Sequence, residues 1–98
     1  MKIGGLSEVK EVDDSVKVIT SSIYKSLVNE LSLNFGDKIN IHSYKTQVVA
    51  GIIFFIKISI NNKFYHIKVM NYLPHTNQEP ELLSVLSNQA ADSEIIFY

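Results

Sequence analysis

The 98-residue sequence contains no cysteine, which excludes disulfide bonds, a thiol nucleophile and thiolate metal ligands. Because small secreted domains usually depend on disulfides for stability, this absence favours an intracellular protein. Residues 1–5 contain no apolar signal region, so we expect a cytoplasmic location, with unconventional secretion left open. Nine basic and ten acidic residues give a net charge of −1, and this balance provides no basic surface for nucleic acid or an anionic membrane.

Long apolar runs and clusters of reactive side chains are also missing. The longest apolar run, residues 52–60, is interrupted by Lys57 and is too short to span a bilayer. The histidines, His42, His66 and His75, have no metal-ligand spacing. The sequence also contains no nucleophile elbow and no glycine-rich phosphate loop. We therefore expect a protein that is not an enzyme and that holds no metal or other cofactor.

One helix is predicted between residues 13 and 34. Asp13-Asp14-Ser15 is a typical helix start, since its side chains accept hydrogen bonds from free backbone N–H groups. Asn34-Phe35-Gly36 is a typical stop signal. Steps of three and four residues place the apolar side chains on one face, which favours a single long helix lying on a sheet. That face consists of Val16, Ile19, Ile23, Leu27 and Leu31.

Strands are predicted at residues 38–47, 52–60 and 63–71 and near 81–87. Asn61-Asn62 favours a tight turn, because asparagine tolerates positive φ. Alternation predicts a core face made of Phe54, Ile56, Ile58, Ile60, Tyr65, Ile67 and Val69.

The opposite face of the predicted sheet carries an unusual apolar pair, Ile53 and Phe55, which we expect to point outward. Residues 94–98 form an apolar tail that we expect to dock on the domain. Together these elements predict one α+β domain over residues 1–98. In it, one long helix crosses a curled antiparallel sheet of about four to five strands.

The loop Gln47-Val48-Val49-Ala50-Gly51 connects the first two of these long strands. Gly51 permits a sharp reversal, so the segment favours a tight hairpin. Hairpin tips are normally polar, whereas this tip carries two valines and an alanine. An apolar tip indicates either that the hairpin prediction is wrong or that the loop enters another molecule.

These residues resemble the Q-x-V-x-G signature of the cystatin superfamily. Three further segments, Tyr44-Lys45-Thr46, Gly4-Gly5-Leu6-Ser7-Glu8 and Leu73-Pro74-His75, resemble the stefins, the type 1 cystatins. The segments occur in the stefin order and spacing, and the resemblance covers essentially the whole chain.

The resemblance implies reversible, tight-binding inhibition of papain-like, cathepsin-type cysteine proteases. An N-terminal trunk and two hairpin loops would form a wedge that fills the protease cleft, with no bond made or broken by the inhibitor. The residues implied in protease binding are Ile3, Gly4 and Gly5 in the trunk, Gln47, Val48, Val49, Ala50 and Gly51 in the first loop, and Leu73, Pro74 and His75 in the second.

Two other functions remain compatible with these residues. One is a cystatin-fold interaction module without inhibitory activity, and the other is a small ligand-binding or enzymatic domain with a pocket between helix and sheet. We also expect a monomer that can form a domain-swapped dimer. The β-branched tip residues would be less strained if the strands on either side joined into one.

Overall fold

The computed structural model describes residues 5–34, 36–96 and 98 of the chain. Within them the backbone forms two helices, one four-stranded sheet and a short 3₁₀ helix. No helix in these ranges is long and apolar enough to cross a membrane. The elements are α1 Asp14–Ser22, α2 Tyr24–Leu31, β1 Asn40–Val49, β2 Gly51–Ile60, β3 Lys63–Tyr72, the 3₁₀ helix Pro74–Thr76 and β4 Glu81–Gln89.

The sheet has the order β1-β2-β3-β4, and each strand is antiparallel to its neighbours. Asn61 and Asn62, which connect β2 to β3, have φ angles of 51° and 64°, as the predicted tight turn requires. In place of a fifth strand, described residues 5–12 contribute one isolated bridge, between Lys10 and Tyr44. The predicted α+β fold is therefore confirmed, with four strands in the sheet.

The helical segment begins where the sequence predicts. The Asp13 carboxylate accepts hydrogen bonds from the Ser15 hydroxyl at 2.6 Å, the Tyr44 hydroxyl at 2.6 Å and the Val16 amide at 3.2 Å. Because these bonds favour the charged form, they lower the pKa of Asp13 to about 2. The same carboxylate thus caps α1 and ties it to β1.

The predicted single helix is interrupted at Ile23, which separates α1 from α2. The Thr20 hydroxyl donates to the Val16 carbonyl at 2.8 Å, and the Ser22 hydroxyl donates to the Val18 carbonyl at 2.9 Å. Such bonds from side chains to the preceding turn compete with the helical ladder and bend helices. The poor helix formers in residues 20–22 therefore explain the break.

The core lies between the helices and one face of the sheet, as predicted. From the helices it takes Val16, Ile19, Ile23 and Leu27, with Leu31 packed against its edge. From the sheet it takes all seven side chains predicted from the alternation, each at most 9% exposed. Burial of these largely apolar side chains is the main favourable term in the stability of the fold. The core members on the sheet side are Phe54, Ile56, Ile58, Ile60, Tyr65, Ile67 and Val69.

The outer face of the sheet, opposite the helices, differs from the prediction. Phe55 does point away from the helices, but it is only 1% exposed and Ile53 is partly buried. The predicted outward apolar patch is therefore wrong for Phe55, because the end of the chain folds back over it. The Tyr98 ring meets the Phe55 ring edge-on at 5.6 Å, and Ile95 is 3% exposed. Docking of the tail is confirmed for these two residues, while Phe97 lies outside the described residues.

Candidate functional site

The tip of the β1–β2 hairpin is an exposed apolar surface. Val49 pairs with Gly51, so Ala50 alone forms the turn, and Val48 pairs with Ile52 on the opposite strand. Directly opposed side chains lie on the same face of a sheet. Val48 is 63% exposed and Ile52 is 38% exposed. The tip therefore presents two adjacent aliphatic side chains to solvent.

Gly51 holds this tip against the neighbouring strand. It has a φ of +132°, and it pairs with Tyr72 of β3. A Cβ atom at this position would lie 2.5 Å from the carbonyl oxygen of Asn71 and 3.3 Å from the Cα of Tyr72. Both the backbone angle and the close approach require glycine. The tip is thus fixed to the end of β3.

The second predicted loop begins at that same point. Leu73 follows Tyr72 directly, is 41% exposed and precedes the 3₁₀ helix. The Leu73 carbonyl accepts hydrogen bonds from the Thr76 amide at 3.0 Å and the Thr76 hydroxyl at 2.7 Å. Pro74 and His75 lie on the exposed outer side of this turn. Because Tyr72 is paired with Gly51, the loop projects from the same end of the sheet as Val48.

The N-terminal segment runs along the free side of β1 towards the tip. The Ser7 amide donates to the Thr46 carbonyl at 2.8 Å, and the Thr46 amide donates to the Ser7 hydroxyl at 2.9 Å. The bridge between Lys10 and Tyr44 makes the segment antiparallel to β1. Gly5 therefore lies towards the Val48 end of the strand, and it is exposed. Ile3 and Gly4 lie outside the described residues.

Not every residue of the predicted first loop is available to a partner. Gln47 is only 8% exposed and pairs with Ile53, on the face opposite to Val48. Val49 is partly buried, whereas Ala50 is exposed. The exposed residues of this tip are Val48, Ala50 and Ile52. Gly51 instead fixes the shape of the loop.

Ile52 is the residue that sequence reasoning missed. Ile52 lies two positions before Phe54 on the same strand. Alternation therefore places it on the core face, where it is expected to be buried with the other core residues. The exposure of Ile52 shows that the helices do not cover the last pair of the hairpin. The length of the turn could have identified Ile52 as part of the tip. If Ala50 alone forms the turn, Ile52 is paired with the exposed Val48.

The chemistry of this end of the sheet is that of an uncharged, apolar surface. Residues 47–52 and 73–76 contain no aspartate, glutamate, lysine or arginine. In the described part of the chain no group of three or more histidine, aspartate or glutamate side chains could hold a metal ion. Such a surface binds by displacing water from an apolar pocket of a partner.

A groove of about 540 Å³ lies between α1 and the start of β1, at the end of that strand away from the tip. Its described lining contains Lys17 but no carboxylate or imidazole, so it lacks an acid–base pair. The lining residues are Lys17, Thr20, Ser21, Tyr24, Ile39 and Ile41.

Comparison with known proteins identifies the family. Residues 4–90 match the model of the cystatin domain. The chain is 33% identical over 93 residues to cystatin-A from Homo sapiens, covering 94% of each chain. It is 30% identical over 99 residues to stefin-1 from Mus musculus, covering both chains completely. It is also 27% identical to leukocyte cysteine proteinase inhibitor 1 from Sus scrofa, covering 97% of this chain and 92% of that one.

A solved structure agrees on the fold. The secreted type 1 cystatin from Fasciola hepatica superposes with a TM-score of 0.77, covering 91% of this chain and 100% of that one at 19% identity. The family model and the relatives, which are covered over 92% or more of their length, lead to one conclusion, and the shared architecture agrees with it. The chain belongs to the cystatin family and is a stefin-type member of it.

Proposed function

We propose that this protein is a reversible inhibitor of papain-like, cathepsin-type cysteine proteases and fills their active-site cleft. The observation that carries the proposal is the exposed, uncharged pair Val48 and Ile52 beside the Leu73 loop at one end of the sheet. Membership of the cystatin family supports it, since one relative is named as a cysteine proteinase inhibitor.

In this proposal three segments form one wedge. Val48, Ala50 and Ile52 enter the centre of the cleft, and Leu73 with Pro74 and His75 contacts one side of it. The trunk, Ile3, Gly4 and Gly5, lies along the non-primed side of the cleft. The order of these segments follows the order of the Lys10 bridge, β1, β2 and β3 across the sheet.

Rigidity of the wedge supports tight binding. Gly51 fixes the first loop to β3, and the Leu73 carbonyl closes the second with two hydrogen bonds. A preformed loop loses little conformational entropy when it binds, so more of the gain from burying apolar surface remains as affinity.

The same rigidity explains how the protein would resist cleavage. Val48 and Val49 remain paired with Ile52 and Gly51 in the hairpin. A hairpin whose backbone is already paired does not offer a free extended segment to the catalytic thiolate, so we expect the chain to inhibit without being cleaved. Membership of the cystatin family supports an inhibitor and not an enzyme.

A titration of papain activity with the purified protein tests this function. We expect stoichiometric inhibition, recovery of activity on dilution and an intact chain by mass spectrometry. Absence of inhibition at a large molar excess over papain and a cathepsin would contradict the proposal and favour an interaction module without inhibitory activity.

Removal of residues 1–5 should weaken inhibition without unfolding the domain. Gly5 is exposed, and among the described residues the first backbone bond to β1 is made by Ser7. Residues 1–5 show no core pattern in the sequence, so little packing should be lost. Thermal unfolding should remain unchanged, and the loss of affinity should differ among proteases because only the non-primed contacts are removed. A truncated chain that unfolds, or that inhibits several proteases as well as before, would contradict the trunk assignment.

The domain-swapped dimer stays a prediction, and it concerns the same tip. β1 and β2 are joined through Ala50 alone, so extension at this point would create one continuous strand. We expect a dimer formed by mild warming to keep its secondary structure and lose inhibitory activity, because the tip no longer exists as a loop. Gel filtration followed by titration of each fraction against papain measures this. A dimer that inhibits as strongly per chain as the monomer would overturn it.

The cytoplasmic location also stays a prediction. The matched structure from Fasciola hepatica is described as a secreted cystatin, so the shared fold occurs in a secreted protein too.

A further inference from the structure

The last residues of the chain form a strap across the outer face of the sheet. We call residues 90–98 the strap, of which 90–96 and 98 are described. Lysine ammonium groups from neighbouring strands donate to its main-chain oxygen atoms, and the Tyr98 hydroxyl donates to the His66 carbonyl at 3.0 Å. The lysine bonds are Lys57 to Ala91 at 2.7 Å, Lys45 to Ile95 at 2.8 Å, and Lys68 to Tyr98.

A buried histidine lies beneath this strap. His66 is 1% exposed, and its Nε2 atom lies 3.3 Å from the Ser93 hydroxyl oxygen. The Ser93 hydroxyl donates its proton to the Ala90 carbonyl at 2.8 Å, so its oxygen is left to accept from His66. This hydrogen-bond pattern assigns a proton to Nε2 of His66.

A proton on the other ring nitrogen of His66 would have no hydrogen-bond acceptor among the described residues. Nδ1 is buried and has no hydrogen-bond partner among the described residues. Protonation would create a donor there without an acceptor, which is costly in a buried site. It would also place a positive charge near the Lys57 ammonium on β2. Burial first, and then Lys57, lower the pKa of His66 below its usual range.

The described groups on the surrounding elements do not offset the positive charge that protonation would give His66. Lys68 is two positions along β3 on the same face, and Leu86 is the β4 partner of His66. In the strap, Glu94 is exposed and paired with Lys45 at 3.4 Å, and Asp92 is exposed. Within the described residues, Lys57 supplies the charge that acts on His66.

We propose that the strap is acid-labile: protonation of His66 releases residues 90–98 from the sheet and uncovers Phe55. While the strap is bound, protonation of the buried His66 imidazole is unfavourable. When the strap is released, water hydrates the imidazole and it accepts a proton. This inference concerns the outer face, and it holds independently of protease inhibition.

The direction of the pH dependence follows from linkage. A released His66 titrates near the ordinary value of about 6.5, whereas the strapped form has a lower pKa. Binding of the strap to the sheet is therefore most stable above a pH of about 6.5. It loses stability as the pH falls from there towards the pKa of His66 in the strapped form. In that window the ratio of released to strapped molecules rises up to about tenfold per pH unit.

NMR spectroscopy of the full chain between pH 7.5 and 4.5 tests the proposal. The imidazole signals give the titration midpoints of the three histidines, and amide exchange in residues 90–96, corrected for its intrinsic pH dependence, reports release. We expect His66 to titrate below the ordinary range, with strap exchange accelerating at the same midpoint. If the strap amides of the unmodified protein stay protected from exchange after His66 is protonated, the proposal is wrong.

Variants separate His66 from other titrating groups. His66→Gln should abolish the acceleration of strap exchange, whereas His75→Gln, at an exposed loop position, should leave it unchanged. Glu94→Gln should also leave the midpoint unchanged, because Glu94 is exposed. Lys57→Gln retains a donor for the Ala91 carbonyl but removes the charge, so the His66 midpoint should rise. Acceleration that persists in His66→Gln and disappears in Glu94→Gln would assign release to the carboxylate and overturn the proposal.

Discussion

Replacement of Val48 by aspartate should raise the inhibition constant for papain at least about a hundredfold while the domain stays folded. Val48 is 63% exposed, so a carboxylate at this position remains hydrated in the free protein. In the complex the same carboxylate would be carried into an apolar pocket without a partner. An unpaired buried charge costs about 3 kcal/mol or more, which corresponds to this loss of affinity.

Val18→Asp is the matched control for this change. Val18 is 64% exposed and lies on α1, away from the hairpin tip. It receives the same substitution at nearly the same exposure, so it should leave inhibition unchanged. Both inhibition constants are measured by titration of papain, and thermal unfolding verifies that both variants are folded. Equal inhibition by Val48→Asp and the unmodified protein would remove the first loop from the proposed wedge.

Gly51→Ala should lower the free energy of unfolding by about 2–4 kcal/mol and weaken inhibition as well. The backbone angle of +132° is unfavourable for alanine, and the new Cβ would lie 2.5 Å from the Asn71 carbonyl oxygen. Relief of this contact requires β2 and β3 to separate at the tip. Strain at a special backbone angle and a clash with backbone are both among the changes that cause large losses of stability.

Gly36→Ala provides the control for backbone strain alone. Gly36 also has positive φ, +98°, but apart from its chain neighbours no described residue has an atom within 4 Å of its Cβ position. Urea unfolding of the two variants compares their stabilities, and the difference between them reports the close contacts of the Gly51 position with β3. If the Gly51→Ala variant is no less stable than the Gly36→Ala variant, the conclusion that the tip closely approaches β3 at Gly51 is wrong.

Local patterns were sufficient for the fold and its core. Side-chain alternation identifies Phe54, Ile56 and Ile58 as core residues because the period of a strand is set by its own backbone. The turn at Asn61 and Asn62 follows from the tolerance of asparagine for positive φ. These properties depend on neighbouring residues only, so they are readable before any tertiary contact is known.

The candidate site was only partly readable in this way. An apolar tip and its resemblance to the stefin motif single out residues 47–51. They do not separate Val48, which is exposed, from Gln47, which is 8% exposed. That distinction depends on which face of the hairpin each side chain occupies, and the exposure of Ile52 depends on where the helices end.

The sequence alone predicts the α+β architecture, the core face and the apolar loop. It does not predict that Phe55 is covered, that the tip rests on β3, or that His66 lies beneath Ser93, because these features depend on tertiary packing. Alternation assigns a side chain to a face of the sheet but carries no information about what returns to cover that face. Ser93 reaches His66 across 27 positions of the chain, and contacts of this kind form only when distant segments pack together.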